Sequence, residues 1–311
     1  EFRRVLFRSC VMQNKLLVNF AQQNHVEGLT MASLTALREG EMGYSVNKAK
    51  RLIKFQHRIN KELLGHRIIT GNLYTAWFEK GEQNLLQIKA FLIQFSVFSN
   101  QFLIAQLNKM IHAETLDSMR VSKEILANEL GVRFISELST NDKDYLGVTD
   151  GSVEGGVFHF SAGHFEWLYS ITKKLNLSFA EIGQPKHGTQ PTLFFCDELI
   201  RLYGGEDYQV SQAASYAIEN WAAAGFWNQL IRGFSRFNDR NSMDLPLGFF
   251  IWHDQLEAQH AAHTQEELEE LYFSLDIDED AFIDHSNEML DGVAVFWDGL
   301  EEQRRALATT H

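Results

Sequence analysis

The chain has 311 residues, a mass of 35.7 kDa and a formal net charge of −13, from 28 Lys and Arg against 41 Asp and Glu. An acidic chain of this kind is a poor binder of nucleic acids and of anionic membranes, because both interactions need clustered basic side chains. Its only cysteines, Cys10 and Cys196, exclude a disulfide framework and a cysteine-based zinc site, and they favour a reducing, cytoplasmic location.

Residues 1–9 stand apart from the rest of the chain. Their run Val5-Leu6-Phe7-Arg8-Ser9 resembles the translation of a sequencing-adapter oligonucleotide, and no small-residue cleavage site of a signal peptide follows it. We therefore leave this segment out of the fold prediction. No apolar run approaches the roughly 20 residues of a membrane-spanning helix, so no membrane partner is expected.

From about residue 11 onward the sequence is dominated by helical periodicity. Only three prolines occur, and proline scarcity favours long helices. Apolar stripes predict helices over 46–64, 82–111, 115–131, 161–175, 192–203, 207–232, 246–273 and 279–307. The second of these is apolar on nearly every face, as is typical of a helix in the middle of a bundle. We predict an all-α fold in which residues 10–65 form an N-terminal helical extension that packs on a bundle of residues 66–311.

Two segments interrupt the helical pattern. Residues 132–160 are rich in Gly, Asp, Ser and Thr, and they predict a long loop of the kind that is often functional, such as a lid. Residues 183–191 predict a simple connector.

The most informative segment is the predicted helix around His253, Glu257 and His260. At 100° per residue these three side chains fall within about 60° of one another, on a face that also carries Phe249 and Leu256. Ionisable groups on an apolar face are costly to bury unless something pairs them, and a metal ion is an economical partner. Imidazole with carboxylate suits iron, manganese or zinc. His263 lies about 60° away from His260 and is expected to be peripheral.

Two further helices each place a carboxylate on an apolar face. Glu129 shares its side with Ile125 and Leu126, and Glu219 is aligned with Ala223 and Phe226. Either carboxylate alone is typical of the edge of a core. Together with the histidine helix they would supply three Glu and two His, and one more imidazole would complete a dinuclear site. His164 is the candidate for that role, with His159 as the alternative.

Several of these segments resemble the heme-oxygenase-like di-iron oxidases and oxygenases, which include the CADD-like proteins. The resemblance covers residues 66–300. It rests on the motifs that end in Trp77-Phe78-Glu79-Lys80-Gly81, on Asn128-Glu129, His164-Phe165-Glu166-Trp167-Leu168 and Ala217-Ile218-Glu219, and above all on His253-x-x-x-Glu257-x-x-His260.

The resemblance implies a heme-oxygenase-like (TenA/CADD-like) helical bundle that holds two iron ions, or a manganese–iron pair. The ligands would be Glu129, His164, Glu219, His253, Glu257 and His260. It also implies that O2 is a co-substrate and that a small organic metabolite is oxidised, as in a biosynthetic pathway. An external electron donor and a homodimer would be compatible with this chemistry. Aromatic side chains that would line the cavity or fill the core are Tyr74, Trp77, Phe95, Phe98, Tyr216 and Phe226.

The sequence departs from the family pattern in three ways. The first Glu and His are usually close in sequence, whereas residues 130–163 separate them here, which makes His164 the less secure ligand. Glu257 replaces the commoner Asp. In the self-sacrificing branch that forms para-aminobenzoate, Tyr74 would match the consumed residue, but the expected lysine is Gln229 here. The self-sacrificing enzyme that uses Tyr74 is therefore the alternative hypothesis to the oxidation of a separate metabolite.

Two hypotheses from other functional classes remain. A TenA-like hydrolase shares the bundle but needs a thiol in its pocket, and Cys196 belongs to none of the ligand-bearing helices. A metal-free small-molecule-binding protein would leave the buried carboxylates without a purpose. Motifs for dinucleotides, phosphates and serine hydrolases do not occur in the sequence.

Overall fold

A computed structural model describes residues 15–134 and 158–308, and within these ranges it leaves undescribed the side chains of 133–134, 158–160 and 256–263. Residues 15–24 are helical and are called α1. The elements that follow are α2 (Met31–Glu39), α3 (Val46–Glu62), α4 (Arg67–Thr70), α5 (Leu73–Phe78), α6 (Leu85–Ile111), α7 (Leu116–Glu129), β1 (Val132–Phe134), β2 (Phe158–Phe160), α8 (His164–Lys174), α9 (Gln190–Glu198), α10 (Tyr208–Ala222), α11 (Phe226–Asn241), α12 (Gly248–Ser274) and α13 (Glu279–Ala308).

The predicted all-α class is confirmed in the described part of the chain, apart from the short ribbon formed by β1 and β2. Helix starts follow from local chemistry. Thr30, Ser45, Asn84 and Thr115 each accept a hydrogen bond from a backbone N–H in the first turn of the helix that they precede. Such side-chain caps satisfy donors that the helix itself leaves unpaired.

One predicted helix is in fact two. The sequence predicts a continuous helix over 207–232, but α10 ends at Ala222 and α11 begins at Phe226. Gly225 between them has a φ of +88°, a left-handed conformation that favours glycine. The two alanines before it are good helix formers, so the apolar period gives no sign of the break.

Helix α6 lies in the middle of the bundle, as its pattern predicts. Phe91, Phe95 and Leu92 are fully buried there, and α6 packs against α7, α8, α9 and α13. The expectation that no segment is long and apolar enough to cross a membrane is wrong for this helix by length and composition. Its most apolar stretch is 44% buried inside the fold.

Helices α2 and α3 pack against α12, and their apolar side chains join the same core as the rest of the chain. A buried carboxylate, Glu269 of α12, helps to fix this contact. It accepts hydrogen bonds from Thr30 N (3.0 Å), Thr30 Oγ1 (2.6 Å), Gln265 Nε2 (2.8 Å) and Gln56 Nε2 (3.4 Å). Whether residue 65 is a domain boundary stays a prediction.

We expect Glu269→Ala to lower the free energy of unfolding by about 1–3 kcal/mol, because it leaves half-buried donors on Thr30 without an acceptor. Urea unfolding followed by circular dichroism measures this loss. Glu270→Ala, at the exposed neighbouring position, is the control and should stay within about 0.5 kcal/mol. Equal stability of the two variants would show that Glu269 does not hold the N-terminal helices in place.

Candidate metal centre

Three side chains that are far apart in sequence meet between α7, α8 and α12. Glu129 is the last residue of α7, His164 is the first of α8, and His253 lies in the second turn of α12. One ligand atom from each lies within 4.8 Å of those of the other two. A carboxylate oxygen and two imidazole nitrogens at this spacing can approach one metal ion.

The β1–β2 ribbon brings Glu129 and His164 together across the intervening residues. The strands pair in antiparallel register, with Val132 opposite Phe160, and Ser161 N donates to Gly131 O at 2.8 Å. The prediction that 132–160 is a loop is therefore wrong at both of its ends. The core of that segment, residues 135–157, lies outside the described residues. Because the ribbon pairs the two ends of the insertion, Glu129 and His164 are close in space although residues 130–163 separate them in sequence.

The contact between Glu129 and His164 is close and largely buried. His164 Nδ1 lies 3.0 Å from Glu129 Oε2, and the imidazole side chain is only 3% exposed. Despite this distance, Nδ1 is a buried atom without a hydrogen bond of acceptable geometry. Burial by itself raises the pKa of the Glu129 carboxyl, but the adjacent imidazoles of His164 and His253 outweigh it and hold that pKa below its usual value. The carboxylate is thus charged and available as a ligand.

His253 is oriented by its own helix. Its Nδ1–H donates to the carbonyl of Phe249, one turn earlier, at 2.7 Å. This bond fixes the tautomer in which Nε2 carries the lone pair that a metal would bind. The ring also stacks on Trp227, with centroids 4.8 Å apart and an angle of 23° between planes.

These observations make the three residues a good fit to a transition-metal ion. Two histidines with one carboxylate are the ligand set of non-heme Fe(II) oxygenases. A buried imidazole nitrogen without a hydrogen bond and a histidine positioned through its other nitrogen are both features of metal-ligand histidines. An ion at this point would satisfy His164 Nδ1 and would balance the Glu129 charge.

Of the other predicted ligands, only Glu219 has a described side chain, and it is not one of the three residues of this cluster. Glu219 is half-buried on α10, and its negative charge acts on Lys109 and Tyr203. The backbones of Glu257 and His260 are helical in α12, but their side chains, like those of His159 and His263, lie outside the described residues. The structure brings three of the six predicted ligands together. The assignment of all six stays a prediction.

Lys109 is a feature that the sequence analysis missed. This half-buried side chain contacts the Ser215 hydroxyl, and its ammonium lies 4.4 Å above the Tyr203 ring. Burial lowers its pKa to about 8. A lysine near the C-terminus of an apolar helix gives no sequence signal of such an environment, since lysines at helix ends are common on surfaces.

Tyr74 is buried in the core, with 2% of its surface exposed, and burial raises the pKa of its phenol. The rings of Trp77, Phe78, Phe91 and Trp297 surround it at centroid distances of 5.4–5.9 Å. Its catalytic role stays a prediction. Gln229, at the position where the lysine is expected, accepts a hydrogen bond from the neighbouring Thr75 at 2.6 Å and so supplies no amine there.

Cys196 is 3% exposed on α9, and burial raises the pKa of its thiol to about 12. A thiol in this state is protonated and inaccessible, which argues against the hydrolase alternative.

Comparison with solved structures agrees with this architecture. A domain of unknown function with a heme-oxygenase-like fold from Shewanella denitrificans OS217 matches with a TM-score of 0.54 and 13% identity, over 83% of this chain and 95% of that chain. The chain has a heme-oxygenase-like fold. Two structures of a CADD-like protein of unknown function from Nostoc punctiforme PCC 73102 match with TM-scores of 0.52, at 17% and 15% identity, over 81% and 83% of this chain and 99% of theirs.

No protein-family model matches the sequence, and no curated protein is significantly similar to it. The heme-oxygenase-like fold inferred from the sequence motifs is therefore confirmed by structure alone. At this level of identity the comparison carries no information about the reaction.

Gly131 provides a test of how the cluster is assembled. It has a φ of +73°, and a Cβ at this position would lie 2.4 Å from the Ser161 carbonyl oxygen. We expect Gly131→Ala to separate the two segments, to lower stability by at least about 1 kcal/mol and to weaken metal binding. Gly71→Ala is the control, because Gly71 is extended and has open space around its Cβ position. Thermal unfolding and metal titration of both variants test this, and unchanged metal binding in Gly131→Ala would contradict it.

Proposed function

We propose that this protein is a non-heme iron enzyme that uses O2 to oxidise a small organic metabolite. The observation that carries the proposal is the convergence of Glu129, His164 and His253, of which His164 is buried and the other two are half-buried. A carboxylate that meets two imidazoles at this spacing matches the preference of iron for mixed oxygen and nitrogen ligands.

The proposed centre is dinuclear, with two iron ions. Glu129, His164 and His253 would hold one ion, and Glu219, Glu257 and His260 would complete the second position. When bound, such a centre supplies the electrons and the Lewis acidity for O2 activation. The protein's part is to place the ligands and to exclude bulk water.

Several residues perform that part. The Phe249 carbonyl holds the His253 ring by accepting from Nδ1–H. Trp227 stacks on the same ring, and Trp167 and Trp252 lie against His164, so indole rings cover both histidines. An aromatic enclosure lowers the local dielectric constant, which strengthens the interaction of a charged carboxylate with a metal ion.

A mononuclear centre is the second candidate, and a specific observation favours it. The three clustered residues alone form the two-histidine, one-carboxylate set that binds a single Fe(II). Metal stoichiometry separates the two forms.

The test is iron content by ICP-MS after anaerobic loading with Fe(II), followed by O2 consumption. Two ions per chain, reduced to one or fewer in a Glu219→Ala, His260→Ala double variant, support the dinuclear centre. One ion that is unaffected by the double variant supports the mononuclear centre. Well under one ion of any metal in the folded protein overturns the proposal. The exposed His57→Ala is the control for a general effect of histidine loss.

A further inference from the structure

All six tryptophans of the chain are connected to the candidate metal centre through contacts between aromatic rings. On the short side, Trp167 lies 5.3 Å from His164, centroid to centroid, and Trp252 lies 5.9 Å from Trp167 and 6.4 Å from His164. We call these two residues the short branch.

The long branch runs in the opposite direction, through the core. In order from the centre its members are His253, Trp227, Phe226, Trp297, Tyr74 and Trp77, with successive centroids 4.8, 4.4, 5.5, 5.7 and 5.4 Å apart. Trp221 stacks on Phe226 at 4.8 Å and joins this branch from the side.

The inner and outer tryptophans differ in their surroundings. The indole N–H groups of the inner four are buried and have no hydrogen-bond acceptor in the described part of the chain; these are Trp221, Trp227, Trp252 and Trp297. The outer two, Trp77 and Trp167, are half-buried, as is Trp252, but their N–H groups are not among the buried donors without a partner. Buried donors without partners are rare in native proteins and call for an explanation.

This difference matters for one-electron chemistry. Indole and phenol are the most easily oxidised of the ring side chains. An indole radical cation is normally trapped when its N–H proton passes to an acceptor. At the inner tryptophans the structure offers no such acceptor among its described residues. The radical cation therefore keeps its N–H proton, and the positive hole can pass to the next ring. At Trp77 and Trp167 water can take the N–H proton, which leaves a neutral indolyl radical and traps the hole there.

We propose that the tryptophans form a two-branched relay that carries single electrons from Trp77 and Trp167 at the surface to the metal centre. This inference rests on the proposed function, which supplies the oxidant as an iron centre oxidised by O2. In each event the centre gains one electron, the outer indole loses one electron, and its N–H proton passes to water. An external thiol then donates a hydrogen atom to the neutral indolyl radical, which restores the indole and leaves a thiyl radical; two thiyl radicals combine to a disulfide.

When no substrate is bound, the relay would supply the electrons that reduce the oxidised metal centre. Arg304 covers Trp77 at 4.4 Å, and a bare cation there would hinder oxidation of the ring. Glu301 accepts two hydrogen bonds from the Arg304 guanidinium at 2.6 Å and one from Arg305 Nε at 2.8 Å. The guanidinium beside Trp77 is therefore an ion-paired cation and not a bare one.

The first test uses the iron-loaded full chain, exposed to O2 without substrate or thiol, with oxygen adducts on each tryptophan quantified by peptide mass spectrometry. We expect adducts on Trp77 and Trp167 in the parent protein. Trp297→Phe should abolish the adduct on Trp77 and leave that on Trp167 unchanged. Trp167→Phe should remove only the short-branch adduct. Equal modification of Trp77 with and without Trp297 would indicate diffusing oxidants and would overturn the relay.

A second test needs no metal and so separates the relay from the proposed function. A ruthenium photo-oxidant is attached to Ala224→Cys, an exposed position three residues before Trp227, in a Cys10→Ser background; buried Cys196 is protected from labelling. After a flash, transient absorption should show an indolyl radical that is lost in Trp77→Phe, a conservative change at a half-buried position.

The outcomes are distinct. Radical transfer to Trp77 in a protein that binds no iron supports the route and overturns the proposed function. Iron binding without radical transfer overturns the relay and leaves the proposed function intact. A signal that is identical with and without Trp77 also overturns the relay.

Discussion

Glu129→Gln and His253→Ala are each expected to lower the affinity for Fe(II) by at least about 100-fold, since the loss of groups that merely support ligands already costs 10- to 100-fold. Gln keeps the size of Glu129 but removes the negative charge that would balance the metal ion. The alanine variant removes the imidazole that Phe249 and Trp227 hold in place.

Anaerobic competition with a fluorescent chelator measures this affinity. Stability provides a second readout, because a ligand at 100 times its dissociation constant raises the free energy of unfolding by about 2.7 kcal/mol. That iron-dependent increase should be present in the parent protein and in the His57→Ala control, and absent in both site variants. Retention of parent-like affinity in either site variant would show that these residues are not ligands.

Phe91→Ala is expected to lower the free energy of unfolding by about 3–5 kcal/mol, as is typical when a fully buried phenylalanine is truncated. Phe91 has no exposed surface, and it contacts rings on its own helix and on four other elements of the bundle. These neighbours are Tyr74, Phe78, Phe95, Phe234, Phe250 and Trp297. The cavity left by truncation would lie between elements that cannot all move inward together.

Urea unfolding measures the loss, and Leu85→Ala is the matched control on the same helix. Leu85 is 46% exposed, so its truncation should change stability by no more than about 0.5 kcal/mol. Phe91→Leu should fall between the two, because it restores part of the lost volume. A Phe91→Ala effect as small as that of Leu85→Ala would mean that the core can close around the cavity.

The two sets of variants report on different properties of the fold. Phe91 stabilises the bundle through apolar contacts, whereas Glu129 carries a charge that burial alone disfavours. If the site is selected for metal binding, the ligand variants should affect metal affinity far more than the stability of the metal-free protein. Core variants should show the opposite pattern.

The sequence by itself determined most of the helices and the residue types at the site. Apolar periodicity depends on neighbouring residues, so α3, α6, α12 and α13 could be located to within a few residues. The choice of Glu129, His164 and His253 as candidates also came from local patterns, as polar groups on apolar faces.

Only the tertiary structure decided what these residues do together. The break at Gly225 depends on one backbone dihedral angle, which an apolar period does not record. The contact between Glu129 and His164 depends on the pairing of β1 with β2 across more than twenty residues that have no helical pattern. The two tryptophan branches depend on packing between helices that are distant in sequence. Local patterns reflect the chain within a few residues of each position, whereas a metal centre and its aromatic surroundings are set by long-range contacts that form only when the bundle closes.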